Sequence, residues 1–420
     1  MEHTNHRRRR QALATVSATT TLLLLLLCLA ALTTAEALRE HRDEGGASSS
    51  GGSGSGCGSN AAGGKQSPAV WVFGDSYADT GNLGDLGREL TREWYDPYGT
   101  TFPGRPAGRF SDGRVLTDFI ASAMGVPTPV AYKLRRGAAR GLVARGMNFA
   151  VGGAGVLDTG NFQRNIGEQI DLFQAQRPPP PSPSARGCDA GVAVVVVSGN
   201  DYSYAADKDN STSAAIAYIP AVVRQLREQL RRLRDEAGMR KVVVTNLHPM
   251  GCTPLFTRAL NYTACDPLAN AGAAQHNAAL QSVLAALDPA NRTFLLLDLN
   301  TPFAALVDGA AAATAEERFA EPRRPCCESF SADGHCGQQD DSGRRQYTLC
   351  SDPSKHFYWD DVHPTQAAWA AVSRTFRPMI QGVPSVYLIT ALFRSDEIKT
   401  STTYQKNQSI KGGELTELLD

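Results

Sequence analysis

The run Val192-Ala193-Val194-Val195-Val196-Val197, leading at once into Ser198-Gly199-Asn200-Asp201, decides how the rest of the chain is read. Six apolar residues without alternation, all valine except one, are typical of a strand buried on both faces, as in a parallel sheet. Toward the C-terminus, Ile216, Ile219, Val223, Leu226, Leu230 and Leu233 recur at gaps of three and four, which predicts a helix with one apolar face. Val242-Val243-Val244 then reads as a second buried strand, Ala271 to Leu287 as a second helix, and Phe294 to Leu297 as a third strand. Toward the N-terminus, Val70-Trp71-Val72-Phe73 is another short buried strand, ending at Gly74-Asp75-Ser76. Gln366 to Phe376 reads as a closing helix. Strands alternating with helices imply a parallel sheet with crossover helices, so the expected fold class is α/β.

Outside this core the chain divides by composition. Arg7 to Arg10, the leucine-rich run Leu22 to Leu32 and the small-residue site Ala35-Glu36-Ala37 have the layout of a secretory signal, expected over 1–37. The apolar run falls short of the about 20 residues that span a bilayer, and an uncleaved anchor is the competing reading. A Gly/Ser-rich linker is expected over 38–66, a structured domain over 67–384, and a tail of unassigned structure over 385–420. Pro178 to Pro183 reads as a connection inside the domain. With 42 basic and 42 acidic residues, the charge balance gives no reason to expect nucleic acid as a partner.

Nine cysteines fit an oxidising compartment. Cys252 and Cys265 lie close together, and Cys326, Cys327, Cys336 and Cys350 cluster in a polar stretch, 321–354, expected to be a long stapled loop. A zinc site using His335 or His356 is the alternative, but the spacing matches no C-x₂-C pairing. Cys57 and Cys188 have no evident partner. Asn210, Asn261, Asn291 and Asn407 each begin an N-x-S/T triplet, in keeping with a secreted surface.

The chemistry-bearing residues stand where strands end. Ser76 follows a buried strand and is flanked by Gly74 and Asp75, and sites in open α/β sheets gather at the carboxyl ends of strands. A serine capping the next helix is the bland alternative. His363 lies in Trp359-Asp360-Asp361-Val362-His363-Pro364-Thr365, and Asp360, three residues earlier, can reach the imidazole. A carboxylate there fixes the tautomer and stabilises the imidazolium, which lets histidine activate a serine hydroxyl. Asp361 competes for that orienting role. Gly152-Gly153 can present backbone N–H groups, and Asn200 a side-chain amide, to a developing oxyanion. Turn and cap roles compete for these three residues. His248 and His276 read as structural. Gly153-Ala154-Gly155 lacks the third glycine of a dinucleotide loop, since Asp158 stands there. No G-x-S-x-G elbow and no H-E-x-x-H occurs, and neither a cofactor nor a metal is expected.

Taken together, the blocks resemble the plant GDSL-type esterases and lipases, a branch of the SGNH hydrolases. The resemblance runs from about Ala69 to Pro378. It rests on Phe73-Gly74-Asp75-Ser76-Tyr77-Ala78-Asp79-Thr80-Gly81-Asn82, on Gly146 to Ala154, on Gly199-Asn200-Asp201 and on Asp360-x-x-His363-Pro364-Thr365. Gly108 to Arg114 and Pro249 to Pro254 are similar to further stretches of plant members. The resemblance implies a three-layer α/β/α sandwich. It implies Ser76 as nucleophile, His363 as base and Asp360 as its orienting partner. The oxyanion hole would be the backbone N–H groups of Ser76 and Gly153 with the Asn200 side chain. Tyr77 stands where the family name has leucine. The implied activity is secreted carboxylic ester hydrolysis. An acyltransferase with the same acyl-enzyme and a non-catalytic binding protein are the alternatives. The substrate would be a small or polymeric ester, with no membrane span left once a signal is removed.

Overall fold

The computed structural model describes residues 68–160, 163–176, 191–209, 211–308 and 319–381. The expected signal, linker and tail, the proline-rich stretch, Cys57, Cys188, Asn210 and Asn407 lie outside these residues.

Six strands form one sheet: β1 (Val70–Gly74), β2 (Val130–Ala131), β3 (Met147–Asn148), β4 (Val192–Val196), β5 (Lys241–Thr245) and β6 (Phe294–Leu297). Their order is β2-β3-β1-β4-β5-β6, and every neighbouring pair is parallel. Helices of eight residues or more are numbered α1 (Leu116–Ala123), α2 (Ile166–Gln176), α3 (Asn200–Asp209), α4 (Thr212–Asp235), α5 (Pro267–Leu287), α6 (Asn300–Asp308) and α7 (Gln366–Gln381).

The alternation of side chains along each strand splits the interior into two cores. Val70, Val72, Val194, Val196 and Val243 pack on one face with residues of α1, α6 and α7. Trp71, Phe73, Val195, Val242 and Val244 pack on the other with α2, α4 and α5. The sheet is therefore the middle of three layers, which is why β4 reads as an unbroken valine run. On α4, Leu226, Leu230 and Leu233 are fully buried, and each such side chain contributes about 1.5–3 kcal/mol of burial. That helix starts where the Ser211 hydroxyl accepts the Ser213 N–H, and α5 starts where Asp266 accepts from Ala269, with Pro267 at the first turn.

One expectation changes. The stretch 321–354 holds a short antiparallel hairpin, β7 (Cys327–Ser329) with β8 (Tyr347–Leu349). Three-residue strands carry too few side chains to show a period. The strands β2 and β3 escape a sequence reading for the same reason, having two residues each. Disulfides join Cys252 to Cys265, Cys326 to Cys350 and Cys327 to Cys336, so these six sulfurs are not thiolate ligands.

The chain leaves β1 toward β2 and β3 on one side, then crosses to β4 on the other. The carboxyl ends of β1 and β4 flank this reversal of strand order, the position where open α/β sheets bind ligands.

Candidate active site

Strand β1 ends at Gly74, whose φ of +143° puts it outside the range of most residues. A Cβ there would lie 2.3 Å from the Val196 carbonyl oxygen on β4, so only glycine lets the two strands close together as the chain turns. Gln169 of α2 fixes this strand end, accepting the Gly74 N–H at 2.8 Å and donating to its carbonyl at 2.9 Å. A turn follows, with Ala78 and Asp79 donating back to the Asp75 carbonyl. No helix begins there, so Ser76 is not a helix cap. Asp75 ties the turn to the end of β4, accepting the Ser198 N–H at 2.6 Å.

His363 arrives from the other end of the chain, on the loop before α7. Its backbone carbonyl accepts from Trp359 N–H at 2.7 Å, closing the loop. Within that loop Asp360 Oδ1 accepts the N–H groups of Val362 and His363 at 3.1 and 2.9 Å. The same carboxylate lies 2.8 and 2.9 Å from His363 Nδ1. Nδ1 therefore carries a proton and donates it, leaving Nε2 as the acceptor. Ser76 Oγ sits 2.9 Å from that Nε2. Tyr98 donates its hydroxyl to Asp360 Oδ2 at 2.7 Å, and the Phe110 ring stacks on the imidazole at 4.8 Å. Burial opposes charge on Asp360, yet His363, the Arg92 charge and the Tyr98 hydroxyl outweigh it and hold the carboxyl well below its usual range. Asp361, the competitor, is pushed up to about 6 by burial and by Asp360 itself.

The third strand-end segment brings the donors. Asp79 gathers four backbone N–H groups, from Gly81, Asn82, Leu83 and, at 2.9 Å, Gly152. This clamps the loop that continues into Gly153, where φ is +81°. Asn200, the first residue of α3, donates one amide hydrogen to the Ala154 carbonyl at 2.9 Å, and its other amide hydrogen meets no acceptor among the described residues. The backbone N–H groups of Ser76 and Gly153 meet no acceptor among the described residues. Ser76, Gly153, Asn200 and His363 line one cavity of about 510 Å³.

His248, read from sequence as structural, also lines this cavity. The Tyr77 hydroxyl donates to the Val362 carbonyl at 2.7 Å and lies 3.1 Å from His248 Nε2, so the hydrogen-bond pattern assigns the proton of His248 to Nε2. Burial pulls its pKa down to about 4, and it is neutral near pH 7. His276 is buried against the Tyr202 hydroxyl, away from the cavity. Tyr98, Phe110 and Asp79 surround the site without having been picked out individually in the sequence. The position of Asp79 two residues before a glycine is an Asx-turn signal that could have found it.

Fold and chemistry together are those of an α/β hydrolytic enzyme. A family model described as GDSL-like lipase/acylhydrolase matches residues 70–376. A GDSL esterase/lipase of Arabidopsis thaliana is 39% identical over 310 residues, covering 73% of this chain and 85% of the relative. A second from the same plant is 35% identical over 306 residues, covering 72% and 85%. Among solved structures, an extracellular lipase of Streptomyces rimosus is similar at 16% identity and a TM-score of 0.33, covering 75% of this chain and 99% of that one. The chain belongs to the GDSL-like lipase/acylhydrolase family, among the plant GDSL esterase/lipases, and is a carboxylic ester hydrolase.

Proposed function

We propose that this ester hydrolase works through an acyl-enzyme on Ser76 and acts after secretion, in the cell wall or apoplast. The observation that carries the reading is the continuous run of hydrogen bonds Ser76–His363–Asp360–Tyr98, which starts at the cavity wall with Ser76 and His363. In the first half-reaction Ser76 Oγ attacks the ester carbonyl while its proton passes to His363 Nε2. Asp360 stabilises the resulting imidazolium. Negative charge on the former carbonyl oxygen is met by the N–H groups of Ser76 and Gly153 and the second amide hydrogen of Asn200. Collapse breaks the ester C–O bond, and the alcohol leaves with the proton from His363. Water then repeats the sequence on the acyl-enzyme, releasing the acid and restoring Ser76. No step calls for a cofactor.

Secretion is supported by the signal-like N-terminal pattern, by three disulfides, and by Asn261 and Asn291, both exposed at surface turns where a glycan would fit. No helix among the described residues is long and apolar enough to cross a membrane. The test is hydrolysis of short-chain p-nitrophenyl esters by wild type beside Ser76→Ala, with folding checked by circular dichroism. Activity lost in the folded variant is the expected result, and equal activity in both would remove Ser76 from the mechanism.

A further inference from the structure

A second cavity, of about 370 Å³, adjoins the first. It lies between α3, α4 and α5, walled by Ala206, Ile216, Ile219, Leu268, Gly272 and Ala273. Four residues, Ser203, Met250, Leu255 and Phe256, line both spaces. The void adjoins the apolar face of α4. Ile216, half-buried, packs on the edge of the core that the rest of its stripe enters, and it also lines the cavity. The apolar lining continues outward: Leu255 is 54% exposed and Leu268 47%. Monomeric proteins keep such contiguous apolar surface small unless something binds there.

The chemistry of the site says which part of an ester would lie there. The leaving alcohol takes its proton from His363 Nε2, so it lies on the His363 side, where Arg92 and Glu89 also line the cavity. The acyl group must leave Ser76 in another direction. Ser203 stands one turn along α3 from Asn200, and Met250 packs on Gly199, where an added Cβ would lie 2.6 Å from the Met250 methyl. Ser203 and Met250 thus bring the shared wall beside the oxyanion donors, while Leu255, whose N–H donates to the Asp361 carbonyl at 2.9 Å, borders the histidine loop. Met250 is unbranched with three rotatable side-chain bonds, suited to swing aside for a chain.

We propose that the acyl chain of the substrate passes Ser203 and Met250 into this cavity, which makes the enzyme selective for esters of apolar, medium-length acids. The proposal rests on the serine-esterase reading above. It makes α4 and α5 the determinants of acyl length, although neither carries a residue of the hydrogen-bonded site.

The experiment measures kcat/KM for p-nitrophenyl esters from acetate to decanoate, and for acetate esters of alcohols of rising length. Wild type is compared with Gly272→Phe and Ile216→Phe, which add bulk to the cavity wall from α5 and α4 in turn. A Cβ on Gly272 meets only Ile216, at 3.5 Å, an ordinary contact, and two variants guard against one failing to fold. In wild type each added acyl methylene is expected to raise kcat/KM roughly fourfold until the cavity is full. In both folded variants the octanoate-to-acetate ratio is expected to fall at least about tenfold. A ratio unchanged in both variants overturns the proposal while leaving the esterase reading intact, as does a loss that follows alcohol length instead. Wild type that cleaves no ester of either series overturns the esterase reading and this proposal with it.

Discussion

Replacing Asp360 by asparagine would test the electrostatic logic of the site without changing its shape. Every neighbour of the carboxylate is a donor: the N–H groups of Val362 and His363, the Nδ1–H of His363 and the Tyr98 hydroxyl. An amide supplies one acceptor oxygen and one NH₂ group. With its oxygen on the two backbone N–H groups, which cannot reverse, the NH₂ must face Tyr98 and His363. The Tyr98 hydroxyl can rotate to accept. His363 Nδ1 then lies between the retained oxygen, at 2.8 Å, and the new NH₂ where Oδ2 stood, at 2.9 Å; accepting from the NH₂ moves its proton to Nε2, and Nε2 can then no longer take the proton of Ser76. Loss of the correct tautomer in a Ser-His-Asp site costs on the order of 10⁴ in kcat, or about 5.5 kcal/mol in the activation barrier. Steady-state kinetics on a p-nitrophenyl ester should show that fall with KM little changed. Asp361→Asn is the matched control, because among the described residues no hydrogen bond joins its side chain to the imidazole, and it should stay within a few-fold of wild type. Asp360→Asn retaining more than a tenth of wild-type kcat would refute the reasoning, and a large fall in Asp361→Asn alone would hand the orienting role to the neighbour.

Asn200→Ala removes one of the three donors proposed for the oxyanion, and kcat should drop about 10²–10³-fold with KM nearly constant; a fall carried by KM instead would mean that Asn200 only holds the Ala154 loop. Glu93 offers a pH test of stability. It is fully buried, neither carboxyl oxygen has a hydrogen-bond partner among the described residues, and burial pushes its pKa up to about 8 from 4.5. Between those values the folded state keeps a proton that the unfolded state has lost, so stability falls as pH rises through that window. Urea unfolding at pH 5 and pH 8.5 should show wild type losing, relative to Glu93→Gln, on the order of 4 kcal/mol over the interval, and parallel curves for the two proteins would contradict the assignment.

How much of this was legible in the sequence depended on how far each signal reaches along the chain. The strands β4, β5 and β6 are visible because burial on both faces forces runs of valine and leucine, and α4 because one face packs over six turns. Short β2 and β3 leave no pattern. The residues Ser76, Asp360, His363, Gly153 and Asn200 could be singled out because each follows a strand or stands in a short loop of recognisable composition, and the structure brings them to one cavity. Tyr98 and Phe110 could not, since their contacts with Asp360 and His363 span about 260 residues and depend on loop paths with no local code. The second cavity was hidden for a different reason. Ile216 fits its helical stripe like any core residue, and a periodicity records which face is apolar without recording what fills the space opposite.

Ser76 and His363 stand 287 residues apart, and the histidine loop hangs on a disulfide-tied hairpin, with Cys326 and Cys327 donating to the Tyr358 and Trp359 carbonyls. On the proposed mechanism, a chain emerging from its N-terminus exposes the serine long before its base, and the two meet only when nearly the whole domain has folded. On that reading the nascent chain is silent, and esterase activity doubles as a report that the domain has closed.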